Sequence, residues 1–278
     1  MKPTDWNPFF DRLSPVFEPL KPLTEVISSV KNWPTCQDLE NLKQQTGNDL
    51  VTHSGIPVRF VPQVNSGSDD FARQYESGIY QTGIVPTRPG NWHDFFNALV
   101  WMTFPLAKVA LNRMHYHALT HAGQHKTQGR GAVRDAATLF DESGVIVLSS
   151  QARLIELLRQ HEWKEVFWRQ RKTVLTSMRF VVFGHAMYEK ALNPYIGMTG
   201  KSVFFQVKEA FLQQPLTAQL RAVDQRLADF LLYRLSTTDD LSPVPVLGYP
   251  GWFDANGFSE FYDNQEYFRP RTKINRGR

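Results

Sequence analysis

NWHDFFNALVWMTFPLAKVALNRMHYHAL, residues 91–119, decides how the rest of the chain is read. Its apolar residues run nearly all round a helical projection, which marks a helix at the centre of a core. Asn91 suits the N-cap position, and Asp94 stands three residues on, where a capping box keeps its acidic partner. Pro105 should kink or break the helix, because it removes a backbone donor and crowds the preceding turn. At 100° per residue, His93, Asn97, Lys108, Asn112 and His115 share one stripe about 100° wide, provided the helix stays continuous. Such groups seldom enter a core unpaired. They either form a hydrogen-bonded network that fixes helix packing or line a pocket. Asn91 and Asp94 are accounted for by capping; His93 and Asn97 are not.

Upstream, residues 1–35 are dense in proline and aromatics (DWNPFF, LSPVFEPLKPL) and read as an arm packed on the body. TCQDLENLKQQTG predicts a helix capped by Thr35 and stopping near Gly47. GIPVRFVPQ, 55–63, alternates like an edge strand. Residues 66–90 mix a short helical piece with turns.

Downstream, AGQHKTQGRGAVRD, 122–135, is a glycine-rich basic loop. RDAATLFDESGVIVLSS then predicts a hairpin, with TLFD and VIVLSS as strands and ESG as the turn. SSQARLIELLRQ should be a helix capped by Ser149 or Ser150, and EWKEVFWRQRKTVLTS continues helically. RFVVFGHAMYEKALNP fits either one buried helix or a strand followed by a helix from Gly184. GKSVFFQV reads as a strand, PLTAQLRAVDQRLADFLLYRL as an amphipathic helix, and the Pro-, Gly- and aromatic-rich stretch after 236 as ordered coil. The class is α+β: a helix-dominated single domain with a small, mainly antiparallel sheet and Pro- and aromatic-rich terminal arms. The divisions are an arm over 1–35, the domain over 36–270, and a basic tail over 271–278 that should be disordered.

Composition narrows the function. With 278 residues, 42% of them hydrophobic, the chain can bury a core without disulfides or metals. The single cysteine, Cys36, excludes an intramolecular disulfide framework and sites built on several thiolates, and itself reads as a bystander. No run of signal-peptide or membrane-span length occurs, so a cytoplasmic protein is expected. The net charge of +4 is concentrated in GQHKTQGRGAVR, 123–134, and RPRTKINRGR, 269–278. Such patches bind phosphate or nucleic acid, or are simply solvated. Phosphate-loop, dinucleotide-binding and nucleophile-elbow motifs are absent.

Two constellations could carry chemistry. HYHALTHAGQH places His117 and His121 four residues apart on a helix, a spacing that can chelate a divalent ion. It lacks the glutamate that a zinc-protease helix carries beside its first histidine. The second set is spread along the chain: His93, Asp94, Asn97, His115, Arg134, Asp135, Asp141, His185 and Glu189. Each sits in a segment of core character. Asp141 and Glu142 fall where the expected TLFD strand meets its turn. His185 and Glu189 are four apart on the helix begun by GHAMYEKAL, so the glutamate could orient the imidazole.

WHDFFNALVW (92–101), RDAATLFDESG (134–144), FGHAMYEKAL (183–192), PYIGMTGK (194–201), PVLGYPGWF (245–253) and FYD (261–263) together resemble the motifs of an uncharacterised bacterial family known as a domain of unknown function. The resemblance spans roughly residues 50 to 270 and implies one domain in a cytoplasmic protein. It brings no activity, cofactor or catalytic residue.

The leading expectation is an enzyme of hydrolytic or acid–base chemistry on a small polar or anionic substrate. His93, His115 or His185 would act as base or ligand; Asp94, Asp135 or Asp141 would orient it or hold a metal. Arg134 would meet an anionic group, which its planar fork suits. The alternatives are a protein binding nucleic acid or another anion through Lys126, Arg130, Arg134 and the tail, and a scaffold whose aromatic-rich ends grip a partner.

Overall fold

The helix expected from residue 92 forms, and it breaks at Pro105. In the computed structural model α4 is Trp92–Thr103 and α5 is Pro105–Ala122. Proline is tolerated at the first position of α5, where an amide hydrogen would have no partner in its own helix. The next two amides, of Leu106 and Ala107, donate to the two carboxylate oxygens of Asp224 at 3.0 and 2.9 Å. Burial pushes Asp224 up to about 6, against the pull of those two hydrogen bonds. The structure describes residues 5–47, 49–63, 71–122 and 129–271, and the side chains of all these but 71–74, 121–122 and 129–130.

Before α4 lie two 3-10 turns, Phe10–Arg12 and Pro15–Leu20, and the helices α1 (Lys21–Ile27), α2 (Cys36–Gln45) and α3 (Phe71–Thr82). Proline density keeps the first 35 residues from forming a long helix. Their rings nonetheless enter the core: Phe10 and Phe17 are fully buried, and Trp6 stacks on Trp92 at 5.2 Å. Thr35 caps α2 as expected, and Asp38 returns the bond to complete a capping box. β1 (Arg59–Pro62) pairs in parallel with β2 (Ile84–Thr87).

After α5 come α6 (Gly129–Ser143), β3 (Gly144–Ser149), α7 (Ala152–Arg159), α8 (Arg171–Ser177), β4 (Met178–Val182), α9 (His185–Ala191), β5 (Thr199–Gln206), α10 (Glu209–Leu212), α11 (Leu216–Tyr233) and β6 (Ser242–Pro245). The four-stranded sheet has the order β4-β3-β5-β6. β3 is buried along its whole length; it runs antiparallel to β4 and parallel to β5, and β6 closes the sheet antiparallel to β5. The helix-dominated α+β class therefore holds.

Local readings are corrected or resolved in five places. The basic loop expected over 122–135 gives way to helix at Gly129, where α6 begins, and the stretch after 236 expected as coil contains β6 and short 3-10 turns. TLFD is not a strand: it is the last turns of α6, and VIVLSS pairs with β4 and β5 instead of with it. Ala136, Ala137 and Phe140 are buried at helical spacing, and a short apolar run cannot be told apart by periodicity alone. Of the two readings of 179–194, the strand followed by a helix from Gly184 is the one that forms. The N-cap of α7 is Gln151, not a serine; Ser149 instead accepts the Gln151 amide at 3.1 Å from just outside the helix.

Candidate functional site

Five helices and the segments that follow β1 and β2 converge on a cavity of about 480 Å³. His93, Asp94 and Asn97 reach it from α4, and His115 and Leu119 from α5. Arg134, Thr138, Asp141 and Glu142 come from α6, and His185 from the first turn of α9. Tyr75 and Glu76 of α3, with Gln63 and Arg88, complete the wall. Helical spacing explains the alignment: Arg134, Thr138 and Asp141 recur at i, i+4 and i+7, and Lys108, Asn112, His115 and Leu119 do the same on α5.

The floor is a charged network. Lys108, buried, donates to both carboxylate oxygens of Asp141 at 2.7 and 2.9 Å and to the Asn97 amide oxygen at 2.9 Å. Asn97 passes the chain on, donating to the Tyr75 hydroxyl at 3.0 Å. Burial works to raise Asp141, but Lys108 and the facing His185 outweigh it and hold the carboxyl below its ordinary value. Asn112 donates to the Glu76 carboxylate at 2.8 Å. The stripe expected on the helix thus survives the break at Pro105: Asn97 of α4 meets Lys108 of α5, and His93, Asn97 and His115 all reach the same cavity.

Beside this network stands a histidine pair. His93 Nε2 and His185 Nε2 lie 3.0 Å apart, although the residues are 92 apart in sequence. Gly184 permits the approach. A Cβ there would lie 2.5 Å from the Glu142 carbonyl oxygen and the Gly144 nitrogen, so the start of α9 sits against the end of α6 with no room for a side chain. His93 Nδ1 contacts Glu189 Oε2 at 3.1 Å, and His185 Nε2 lies 3.6 Å from Glu142 Oε2. His185 Nδ1 is buried without a hydrogen-bond partner among the described residues, with Asp141 Oδ1 3.9 Å away.

These surroundings separate the two imidazoles. Burial pushes His185 down to about 3, with Lys108 and His93 adding to the fall and Asp141 opposing it. The Glu189 hydrogen bond raises His93 above its ordinary value, against partial burial. Burial also raises Glu142. A neutral imidazole thus faces one that protonates readily, with a carboxylate of raised pKa beside them. The donor atoms of His93, Glu142 and His185 all lie within 4.8 Å of one another, and these are the described residues that could hold a metal ion.

Not every candidate joins. Asp135 is exposed on α6 and is absent from the cavity wall. Asp94 lines the cavity, but its carboxylate clamps Arg88, taking the guanidinium at 2.9 and 2.7 Å and the backbone amide at 2.7 Å. Glu189 orients an imidazole, but that of His93 across the cleft and not that of His185 in its own helix. His117 is exposed, edge-on to Tyr80 at 6.3 Å. The His121 and Arg130 side chains, and Lys126 entirely, lie outside the described residues. Arg134 lines the cavity and makes no ion pair or hydrogen bond among the described residues.

Glu142, Tyr75, Glu76 and Arg88 escape the sequence reading as site residues. Glu142 had a signal: with 134–143 read as a helix, it falls two turns from Arg134, beside Asp141.

The model of the family described as "Protein of unknown function (DUF3025)" matches residues 58–272, more than half of the chain, so the chain belongs to that family. The match leaves out the aromatic arm and takes in every wall residue of the cavity named above. No curated protein and no solved structure matches the chain. Among the described residues no helix is long and apolar enough to cross a membrane.

Proposed function

We propose that this member of the DUF3025 family is a cytoplasmic enzyme that hydrolyses a small anionic substrate in the cavity between α3, α4, α5, α6 and α9. One observation carries the reading. In the wall of a polar cavity, two histidines of opposed proton affinity meet Nε2 to Nε2 at 3.0 Å, with Glu142 beside them. Groups driven apart in pKa within one cleft suit acid–base work at a substrate. His93, oriented through Nδ1 by Glu189, has the base-and-orienter arrangement that activates water. His185, buried and held neutral, stands edge-on to the His93 ring with centroids 4.4 Å apart. Arg134, with no partner among the described residues, is placed to take the carboxylate or phosphate of the substrate in a bidentate fork. Buried Lys108 holds Asp141 ionised beside His185 and keeps the floor charge-balanced. The cytoplasmic location rests on the single cysteine, which leaves no intramolecular disulfide to need an oxidising compartment.

The test is unbiased substrate profiling. The purified protein is incubated with a cellular small-molecule extract supplemented with divalent metals, and consumption is followed by mass spectrometry. The expected result is a carboxylate- or phosphate-bearing compound that gains the elements of water with wild type. It should be spared by Glu142→Gln and by Arg134→Ala at unchanged unfolding temperature. If wild type consumes nothing, or the variants consume as wild type does, the enzymatic reading is wrong.

A further inference from the structure

We propose that His93 Nε2, His185 Nε2 and Glu142 Oε2 bind one divalent transition-metal ion, open on its remaining side to the cavity. The argument starts from where the ring protons must be. Glu189 Oε2 can only accept, so at 3.1 Å the proton of His93 sits on Nδ1. His185 Nδ1 is buried, without a hydrogen-bond partner among the described residues, and has the Asp141 carboxylate 3.9 Å away. A lone pair turned toward that negative charge would be repelled, so Nδ1 carries the proton here too. Both Nε2 atoms then present lone pairs to each other at 3.0 Å. That contact is repulsive unless a positive species sits against both, either an extra proton or a metal ion.

The geometry favours a metal. A tetrahedral ion with bonds of about 2.0–2.2 Å to nitrogen and oxygen has neighbouring ligands about 3.3 Å apart. Two edges of the cluster, 3.0 Å between the nitrogens and 3.6 Å from His185 Nε2 to Glu142 Oε2, bracket that value, and all three donor atoms lie within 4.8 Å of one another. A proton shared by the histidines would also attract the Glu142 carboxylate by charge; what favours the ion is that convergence of all three donor atoms. His93 is also backed at Nδ1 by the Glu189 carboxylate, which is how ligating histidines are oriented and made more basic, and the Asp141 carboxylate faces His185 Nδ1 at 3.9 Å, beyond hydrogen-bond reach. Charge closes as well: Lys108 neutralises Asp141, and a divalent ion balances Glu142 and Glu189. Two imidazoles and one carboxylate suit zinc, iron(II), cobalt(II) or manganese(II) and disfavour calcium and magnesium. Three protein ligands leave a position for water, as in catalytic rather than structural sites. Resting on the hydrolytic reading, this site revises one role in it: with the ion bound, His93 is a ligand and the ion would supply the activated water in its place, and binding is testable without activity.

Untagged protein is stripped with a chelator, then titrated with zinc chloride by calorimetry and with cobalt(II) by visible absorption. Wild type should take up one equivalent of zinc, and cobalt should give the intense visible bands of a tetrahedral site. His93→Gln and Glu142→Gln, both at partly exposed positions that the fold tolerates, should each weaken zinc at least about 100-fold. His117→Ala should bind as wild type. Absence of stoichiometric binding, or binding that survives both substitutions, overturns the site. A stoichiometric ion in a protein that consumes no substrate would leave the site standing and sink the hydrolytic reading. Chelator-insensitive hydrolysis with no ion bound would do the reverse.

Discussion

Two polar networks are buried in this molecule, and they are built differently. Behind the sheet, Asn256 donates to the carbonyls of Leu247 and Tyr249 at 2.9 and 2.7 Å and accepts from the Gly251 amide at 3.3 Å. Tyr262 donates to the Gly248 carbonyl, Tyr267 to that of Met198, and Arg171 to that of Asn256. Nearly every bond there ends on main chain. The network fixes the path of a stretch whose 3-10 turns are too short to satisfy all their own carbonyls. Around the cavity the bonds run from side chain to side chain: Lys108 to Asp141, Asn97 to Tyr75, His93 to Glu189. They hold charges, surround open space, and leave His185 Nδ1 without a hydrogen bond among the described residues and two lone pairs converging. A polar group bonded to backbone is committed to conformation. One bonded to another side chain at the edge of a void retains capacity for a ligand.

The largest effect should come from Lys108→Met. It strips the countercharge from a buried carboxylate, and breaking a buried pair from one side costs roughly 3–5 kcal/mol. Denaturant unfolding measures it, and the double variant Lys108→Met/Asp141→Asn should recover much of the loss. A cost near zero would mean that water reaches Asp141 and that the floor is less closed than its geometry indicates. Asn256→Ala ranks next. It orphans two buried carbonyls and loses an amide partner, for roughly 3 kcal/mol, yet zinc uptake by the folded fraction should match wild type. If Asn256→Ala disturbed the metal site, the two networks would be one, and the contrast between them would collapse.

How much of this was legible in the sequence follows from the same contrast. The stripe from His93 to His115 could be read because it obeys one local rule, the helical period, on both sides of Pro105. The meeting of His93 with His185 could not, since it depends on α9 pressing against α6 at a glycine 42 residues from the nearest cavity residue of α6. Nor could the cross-cleft partner of Glu189, because the i, i+4 spacing offered His185 as a nearer one. Glu142 was lost to a misread element: TLFDESG alternates well enough for a hairpin, and only tertiary packing of Ala136, Ala137 and Phe140 makes it helical. The Asn256 network left no pattern, since coil stabilised by side chain to backbone bonds has no period.

The smallest effect on stability is expected at Glu189, where the effect on the site should be large. The Glu189 hydrogen bond raises His93, so the stabilisation from this histidine is full below its unfolded value, about 6.5, and is lost as pH rises through the folded value. Glu189 is lowered chiefly by the same bond, so its share is full above its unfolded value, about 4.3, and is lost as pH falls through the folded one. The pair therefore contributes most between about pH 4.3 and 6.5. With 30% and 46% of the two side chains exposed, solvent screens it to a few tenths of a kcal/mol. Glu189→Gln should then cost that little in metal-free protein near about pH 5.5 and nothing near about pH 9, while the His93 ring titrates lower by NMR. An equal cost at both pH values would make Glu189 a packing residue. In the same variant zinc affinity should fall about 10-fold or more, because His93 loses the carboxylate that orients it and raises its basicity. Glu189→Gln and Asn256→Ala are thus predicted to be mirror images: one nearly silent in unfolding and loud in binding, the other the reverse. That inversion is what separates a site from a scaffold when both are made of buried polar groups.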